Sequence, residues 1–303
     1  MIYSKSAKTI DEQITKLLER GMIIQDVPAA KLKLAHISYY RLAGYWWPMY
    51  VKEKESHIFK AGSRFEDAIA LYDFDHELRA FLFEQIGVIE ISLRTKLIYH
   101  LSHECGPWWF QDSHLFINSK SLIKTLHTVM EEVDRAKDQF MKVHKRKYKE
   151  DQRFPPSWKT LELTSFGGLS KLYGNLKPSI QAKDLIATEL GAVNHTYLKT
   201  WLQSLTQIRN YCAHHSRLWN KNLPGTPKLL SKPPFSWIED IPKRHEFPKL
   251  YIHLCLIKYL ISRIAPSNDL TQRISSLLAK YPNVDPNALG FKPDWQGERL
   301  WAD

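Results

Sequence analysis

Between Gln207 and Asn220 the chain reads QIRNYCAHHSRLWN, which gathers Arg209, Asn210, His214 and His215 within seven residues. An imidazole titrates near neutral pH, so it can take a proton from a ribose 2′-OH or return one to a leaving 5′-oxygen. A fixed guanidinium can hold the intervening phosphate and stabilise the charge that builds on its oxygens. An amide beside it can steady the guanidinium or bind a phosphate oxygen. Such a set cuts RNA without a metal, because the 2′-OH is the nucleophile, and it leaves a 2′,3′-cyclic phosphate. Two other readings compete. Adjacent histidines diverge around a helix, so His214 and His215 make a poor chelate, and no HExxH or acid cluster is present to complete a metal site. A polar helix end, with His214 capping carbonyls, needs no chemistry at all.

The elements that must position this set are helical. Tyr197, Trp201, Leu205, Ile208 and Cys212 recur at steps of four and three, which predicts a helix over 194–213 with one apolar face and Asn194 as its cap. Arg209 lies one residue off that stripe, where a guanidinium is costly unless it is paired or faces a polar cleft. On a continuous helix Arg209 and His214 differ by about 140° in direction and roughly 7.5 Å in rise. They do not eclipse, but the long Arg side chain can reach forward, particularly if the helix ends or bends near Ala213, and a second copy of the chain would also bring the groups together.

The same periodicity runs through the chain. Leu78, Leu82, Ile86, Ile89, Leu93, Leu97 and Leu101 predict a long helix over 66–102, with Glu90 and Arg94 placed to pair on its flank. Residues 8–50 read as short helices, with Gly21 as a stop, Asp26 as a cap and Pro28 in the first turn that follows. Their helix-turn-helix outline resembles DNA-binding modules, but the third segment, SYYRLAGYWWPMY, is aromatic rather than basic and reads first as a packing platform. A second long helix is expected over 119–150. The glycine pair of SFGGLSKLYGNLK is placed to open a helix toward an anion. Helices over 247–264 and 267–280 follow a Pro-rich connection at 224–242, and the tail LGFKPDWQGERLW is expected to be extended and docked. The fold class is therefore all-α. The expected segments are an N-terminal helical region at 1–60, a core at 61–223 that carries the motif, and a C-terminal extension at 224–303.

Composition narrows the function. The 303 residues carry a net charge of +11, which points to a polyanionic partner. The run MKVHKRKYK has five Lys/Arg, one His and no acid. Lys142, His144, Lys145, Arg146, Lys147 and Lys149 are candidate phosphate contacts, joined by Arg217 just past the two histidines. The alternative is a solvated helix face. Three scattered cysteines offer neither a disulfide framework nor a zinc site. The N-terminus lacks an apolar signal core, and LYIHLCLIKYLISRIA is too short and too charged to span a bilayer. A cytoplasmic protein with no cofactor is expected.

Six stretches occur in order: ISYYRLAGYWWPMY, LYDFDHELRAFLFEQIGVIEISLRTKLIYHLS, GPWWF, PPSWKTLELTSFGGLSKLY, QIRNYCAHHSRLWN and LGFKPDW followed by LW. Together they resemble the Abi family of bacterial abortive-infection proteins, of the AbiD/AbiF type, over about residues 10 to 301. The resemblance implies a HEPN-type helical bundle and an anti-phage endoribonuclease with an R-x(4–6)-H signature, which maps onto Arg209, Asn210 and His214. His215 is the alternative histidine. It also implies a homodimer with a composite site, and an RNA partner that includes a structured noncoding RNA. Glu90 or Arg94 would support Arg209 from the earlier helix. The string from Arg94 to His100 has R-x5-H spacing but lies within the apolar helix and reads as helix and core. The alternative function is a HEPN protein that holds RNA or a toxin partner without cutting.

Overall fold

The computed structural model describes residues 2, 6–51, 57–241 and 248–302. Among these residues the architecture is all-α, with twelve α-helices and only isolated β-bridges. Three short helices come first: α1 (Ile10–Glu19), α2 (Val27–Ile37) and α3 (Tyr39–Trp46). Thr9 and Glu12 form a capping box on α1, and Gly21 turns the chain at φ +87°. Asp26 caps α2, with Pro28 in its first turn. The aromatic segment is largely a packing platform, with Tyr45 and Trp46 buried, although Tyr40 and Trp47 stay exposed.

The axis of the molecule is α4 (Phe65–Cys105), a 41-residue helix that is about 60 Å long. Its buried stripe runs from Phe65 to Leu101 through Leu78, Leu82, Ile86, Ile89, Leu93 and Leu97. Gly106, at φ +85°, ends it. Against α4 pack α3, α7 (Ser157–Leu163), α9 (Gln181–Glu189), α10 (His195–Ala213) and α11 (Leu250–Ile264). Besides α4, α10 rests on α9 and on α8 (Phe166–Asn175). Each fully buried Leu or Ile in these seams contributes about 1.5–3 kcal/mol.

The region 119–150 is two helices, not the expected one: α5 (Ser119–Arg135) and α6 (Gln139–Lys147). Ala136 is extended at ψ 126°. The reason is packing. Met141 closes a small separate cluster with Val129 and Val133. On one straight helix Met141 would sit about 12 Å beyond Val133 and could not reach it.

Of the glycine pair, Gly168 serves close packing. A Cβ at Gly168 would lie 2.6 Å from the Thr164 methyl. The Ser165 hydroxyl caps Gly168 N–H, and Glu132 Oε2 accepts from Ser165 N–H at 3.2 Å. An acid already faces that helix start.

The Pro-rich connection is clamped onto the core through buried Leu230, Trp237 and Ile238. Trp201 Nε1 also donates to its Lys228 carbonyl at 2.7 Å. Residues 242–247, where this connection ends and the next helix was expected to start, lie outside the described residues. After α11 comes α12 (Leu270–Lys280). The tail is docked as expected, with Trp295 and Trp301 buried, but it includes a short 3-10 turn at Trp295–Gly297 rather than running extended throughout. One hydrophobic core takes side chains from all three expected segments, from Ile14 to Trp301.

Candidate active site at the end of helix α10

Asn194 Oδ1 accepts from Thr196 N–H at 2.9 Å and starts α10. Trp201, Leu205, Ile208 and Cys212 are buried along it, as the spacing predicts, and hold the helix against α4 and α8. Burial pushes the Cys212 thiol up to about 12, so this cysteine is a protonated packing group and not a nucleophile.

The helix ends at Ala213, within the motif. His215 N–H donates to the Cys212 carbonyl at 3.1 Å, and Ser216 N–H to the Tyr211 carbonyl at 2.8 Å. These two bonds form a Schellman stop, with His214 as the cap and His215 in the left-handed position at φ +53°. Glycine usually takes that position. The two histidines therefore differ in kind. His214 closes the helix and is exposed, whereas His215 is exposed but turns the chain.

Arg209 is half-buried and Asn210 exposed on the last turns of α10. Arg209 Nε is buried with no hydrogen-bond partner, and its guanidinium carbon lies 5.5 Å from the centre of the Phe83 ring of α4. Phe83 also lines a cavity of about 320 Å³ beside the motif, together with His76, Arg79, Ala80, Cys212, Ala213 and His215. Of the two histidines, His215 lines this cavity.

Behind the turn lies a buried cluster that the sequence reading missed. Asp75, fully buried on α4, accepts from Trp219 N–H at 2.7 Å, Leu218 N–H at 3.1 Å and the Tyr45 hydroxyl at 2.7 Å. It also pairs with Arg79, one turn along. Burial raises the Asp75 carboxyl above the usual carboxylate range, and Arg79, Tyr45 and the two peptide N–H groups oppose that rise. A signal was present in the sequence: Asp75 and Arg79 fall in phase with the stripe of Leu71, Phe74, Leu78 and Leu82, where a charged pair must be buried.

The expected helpers from α4 are engaged elsewhere. Glu90 and Arg94 pair at 2.7 Å. Arg94 also donates to the Leu161 carbonyl at 2.8 Å and the Thr164 carbonyl at 3.0 Å, which anchors α7 and the turn before α8. The α4 residue set against Arg209 is Phe83. His100 contacts Glu189 at 3.1 Å and stays within the helix packing.

The basic run forms the end of α6 and the turn after it, with Lys142, Lys145, Arg146, Lys147 and Lys149 exposed. Lys145 lies 3.4 Å from Asp134. Burial and the neighbouring Lys159 hold His144 below the usual imidazole range. Arg217 does not project with this set: its guanidinium donates to the Gly44 carbonyl of α3. Among the described residues, no group of three or more His, Cys, Asp or Glu side chains could hold a metal ion. No helix among them is long and apolar enough to cross a membrane.

An all-α protein whose central long helix supports a helix end rich in Arg, Asn and His is the class that fold and site define. The family model described as Abi-like protein matches residues 32–220, and the chain belongs to that family. The matched region begins within α2 and ends at the last residue of the motif stretch, so it includes α3, α4 and α10. No curated protein and no solved structure matches the chain. Membership points to a role in abortive infection, the defence in which an infected cell halts its own growth.

Proposed function

We propose that the protein is an anti-phage endoribonuclease of the HEPN type, which cuts RNA through attack of the ribose 2′-OH on the adjacent phosphate. One histidine takes the 2′-OH proton as the new O–P bond forms. A protonated histidine gives a proton to the departing 5′-oxygen as the old bond breaks, so the products are a 2′,3′-cyclic phosphate and a 5′-OH end. Arg209 holds the phosphate oxygens, and Asn210 steadies it. His214 is the assigned proton carrier, with His215 as the alternative. Two copies of the chain, meeting at this helix end, supply the two histidines the balance requires. The exposed cations Lys142, Lys145, Arg146, Lys147 and Lys149 draw RNA to the protein, both as substrate and as a structured noncoding RNA that controls it, in the cytoplasm.

The observation that carries this reading is Arg209. Its buried Nε has no partner, and a buried, unpaired donor on a cation costs about 1–3 kcal/mol or more. It lies on the same helix end as exposed Asn210, His214 and His215. A guanidinium kept so is ready for an anion. The test is RNA cleavage in EDTA by purified protein stripped of nucleic acid. Wild type should cut and leave cyclic phosphate ends, whereas His214→Ala should not cut and should melt with wild type. Cleavage that persists in His214→Ala refutes that assignment. If wild type binds RNA but never cuts it, the protein is a non-catalytic RNA holder.

A further inference from the structure

The turn that carries the two histidines is held by more than its own helix. Arg41 of α3 donates from Nη1 to the His215 carbonyl at 2.6 Å. In return, Arg217 donates to the Gly44 carbonyl of α3, and its side chain lies along Gly44, 3.5 Å from where a Cβ would stand. Tyr45 of α3 donates to the Asp75 carboxylate, which also receives Leu218 N–H and Trp219 N–H. The left-handed φ of His215 costs about 1–2 kcal/mol and persists only where surrounding contacts over-determine it. Here they do. Every residue from 215 to 219 except Ser216 is tied to α3 or to Asp75.

We propose that α3 and Asp75 form a latch that sets the direction of His214 and His215, with Arg41 and Asp75 as positioning residues of the site. The catalytic role of the latch rests on the nuclease reading above; its geometry does not. Arg41 is exposed, and its bond to His215 lies across 174 residues of sequence. Removing it frees the turn without opening the core. Asp75 is deeply buried with four donors aimed at it, so Asp75→Asn risks the fold, and Arg41 decides the matter.

The experiment compares wild type, Arg41→Ala and Arg41→Lys by NMR of labelled histidine side chains. His214→Ala and His215→Gly assign the two motif resonances. Arg41→Ala should move the His214 and His215 ring signals, leave other histidines in place and keep the melting temperature. Arg41→Lys should return the signals part of the way. Resonances that stay fixed in Arg41→Ala overturn the latch. In the cleavage assay Arg41→Ala should lower kcat by roughly tenfold to a hundredfold, the scale of a small misplacement, with KM nearly unchanged. If KM rises instead while kcat holds, Arg41 is an RNA contact and the positioning role is refuted. If neither wild type nor variant cuts RNA, the nuclease reading fails, and the ring signals still decide the latch.

Discussion

Replacing His215 with glycine separates the two histidines of the motif. His215 has φ +53° and fills the left-handed position of the Schellman stop. A side chain there costs about 1–2 kcal/mol, and glycine relieves it. Glycine in turn loses about 0.5–1 kcal/mol through its looser unfolded chain. The net expectation for His215→Gly is a gain of about 0.5–1 kcal/mol. With about 2.1 cal/mol/K per residue, a chain of 303 residues has an unfolding entropy of about 0.6 kcal/mol/K, so Tm should rise by about 1–2 °C. His215→Ala keeps the unfavourable φ and should not gain. Calorimetry on the three proteins measures this, and the EDTA-resistant cleavage assay is run beside it. Cleavage that survives in His215→Gly leaves the proton with His214. Cleavage that disappears while Tm rises assigns the proton to His215, the histidine that lines the cavity beside Phe83. A fall in Tm of more than about 2 °C in His215→Gly refutes the backbone argument, because the ring would then be worth more than the turn costs.

Two further outcomes follow from the packing. Gly168→Ala should destabilise by about 1–3 kcal/mol, since the new methyl meets Thr164 at 2.6 Å. Gly87→Ala, in the middle of α4 with nothing within 4 Å, should stabilise by about 0.4–1 kcal/mol, and chemical denaturation compares the pair. Acid should loosen α12. Glu77 is held below the usual carboxylate range chiefly by Lys280, and Glu84 chiefly by Arg273, both of α12. Depressed carboxyls stabilise the fold above their unfolded value near 4.5 and lose that contribution as pH falls through the folded value. Protection from hydrogen exchange, with the intrinsic slowing of amide exchange in acid divided out, should therefore fall in α12 as pH drops below 4.5, and fall more than in α10. An equal loss of protection in both helices refutes the assignment.

The helices of this protein are legible in its sequence because their determinants are local. Apolar residues three and four apart define α4 and α10 without reference to anything distant, and Asp26, Asn194 and Gly106 mark ends through bonds to their own turns. The motif itself is a stretch of fourteen residues, and the order of aromatic and apolar blocks around it was enough to recognise the family. Spacing offered a helix end near Ala213, or a second copy of the chain, as ways for Arg209 and His214 to meet, and the helix does end there.

What only the tertiary structure decided depends on groups far apart in the chain. Met141 breaks the 119–150 region in two by returning to Val133, which no helical period foretells. The family resemblance implies that Arg94 could assist Arg209, but Arg94 donates to carbonyls 67 and 70 residues away. Arg217 reads as a free cation in sequence and is held by Gly44 in space. Asp75 binds backbone groups 143 and 144 residues on, and Arg41 binds a carbonyl 174 residues on. Local sequence sets which residues a helix buries. Which distant group pairs with a buried charge is set only once the helices have packed, because a desolvated carboxylate or guanidinium must take whatever donors and acceptors the assembled core brings within reach.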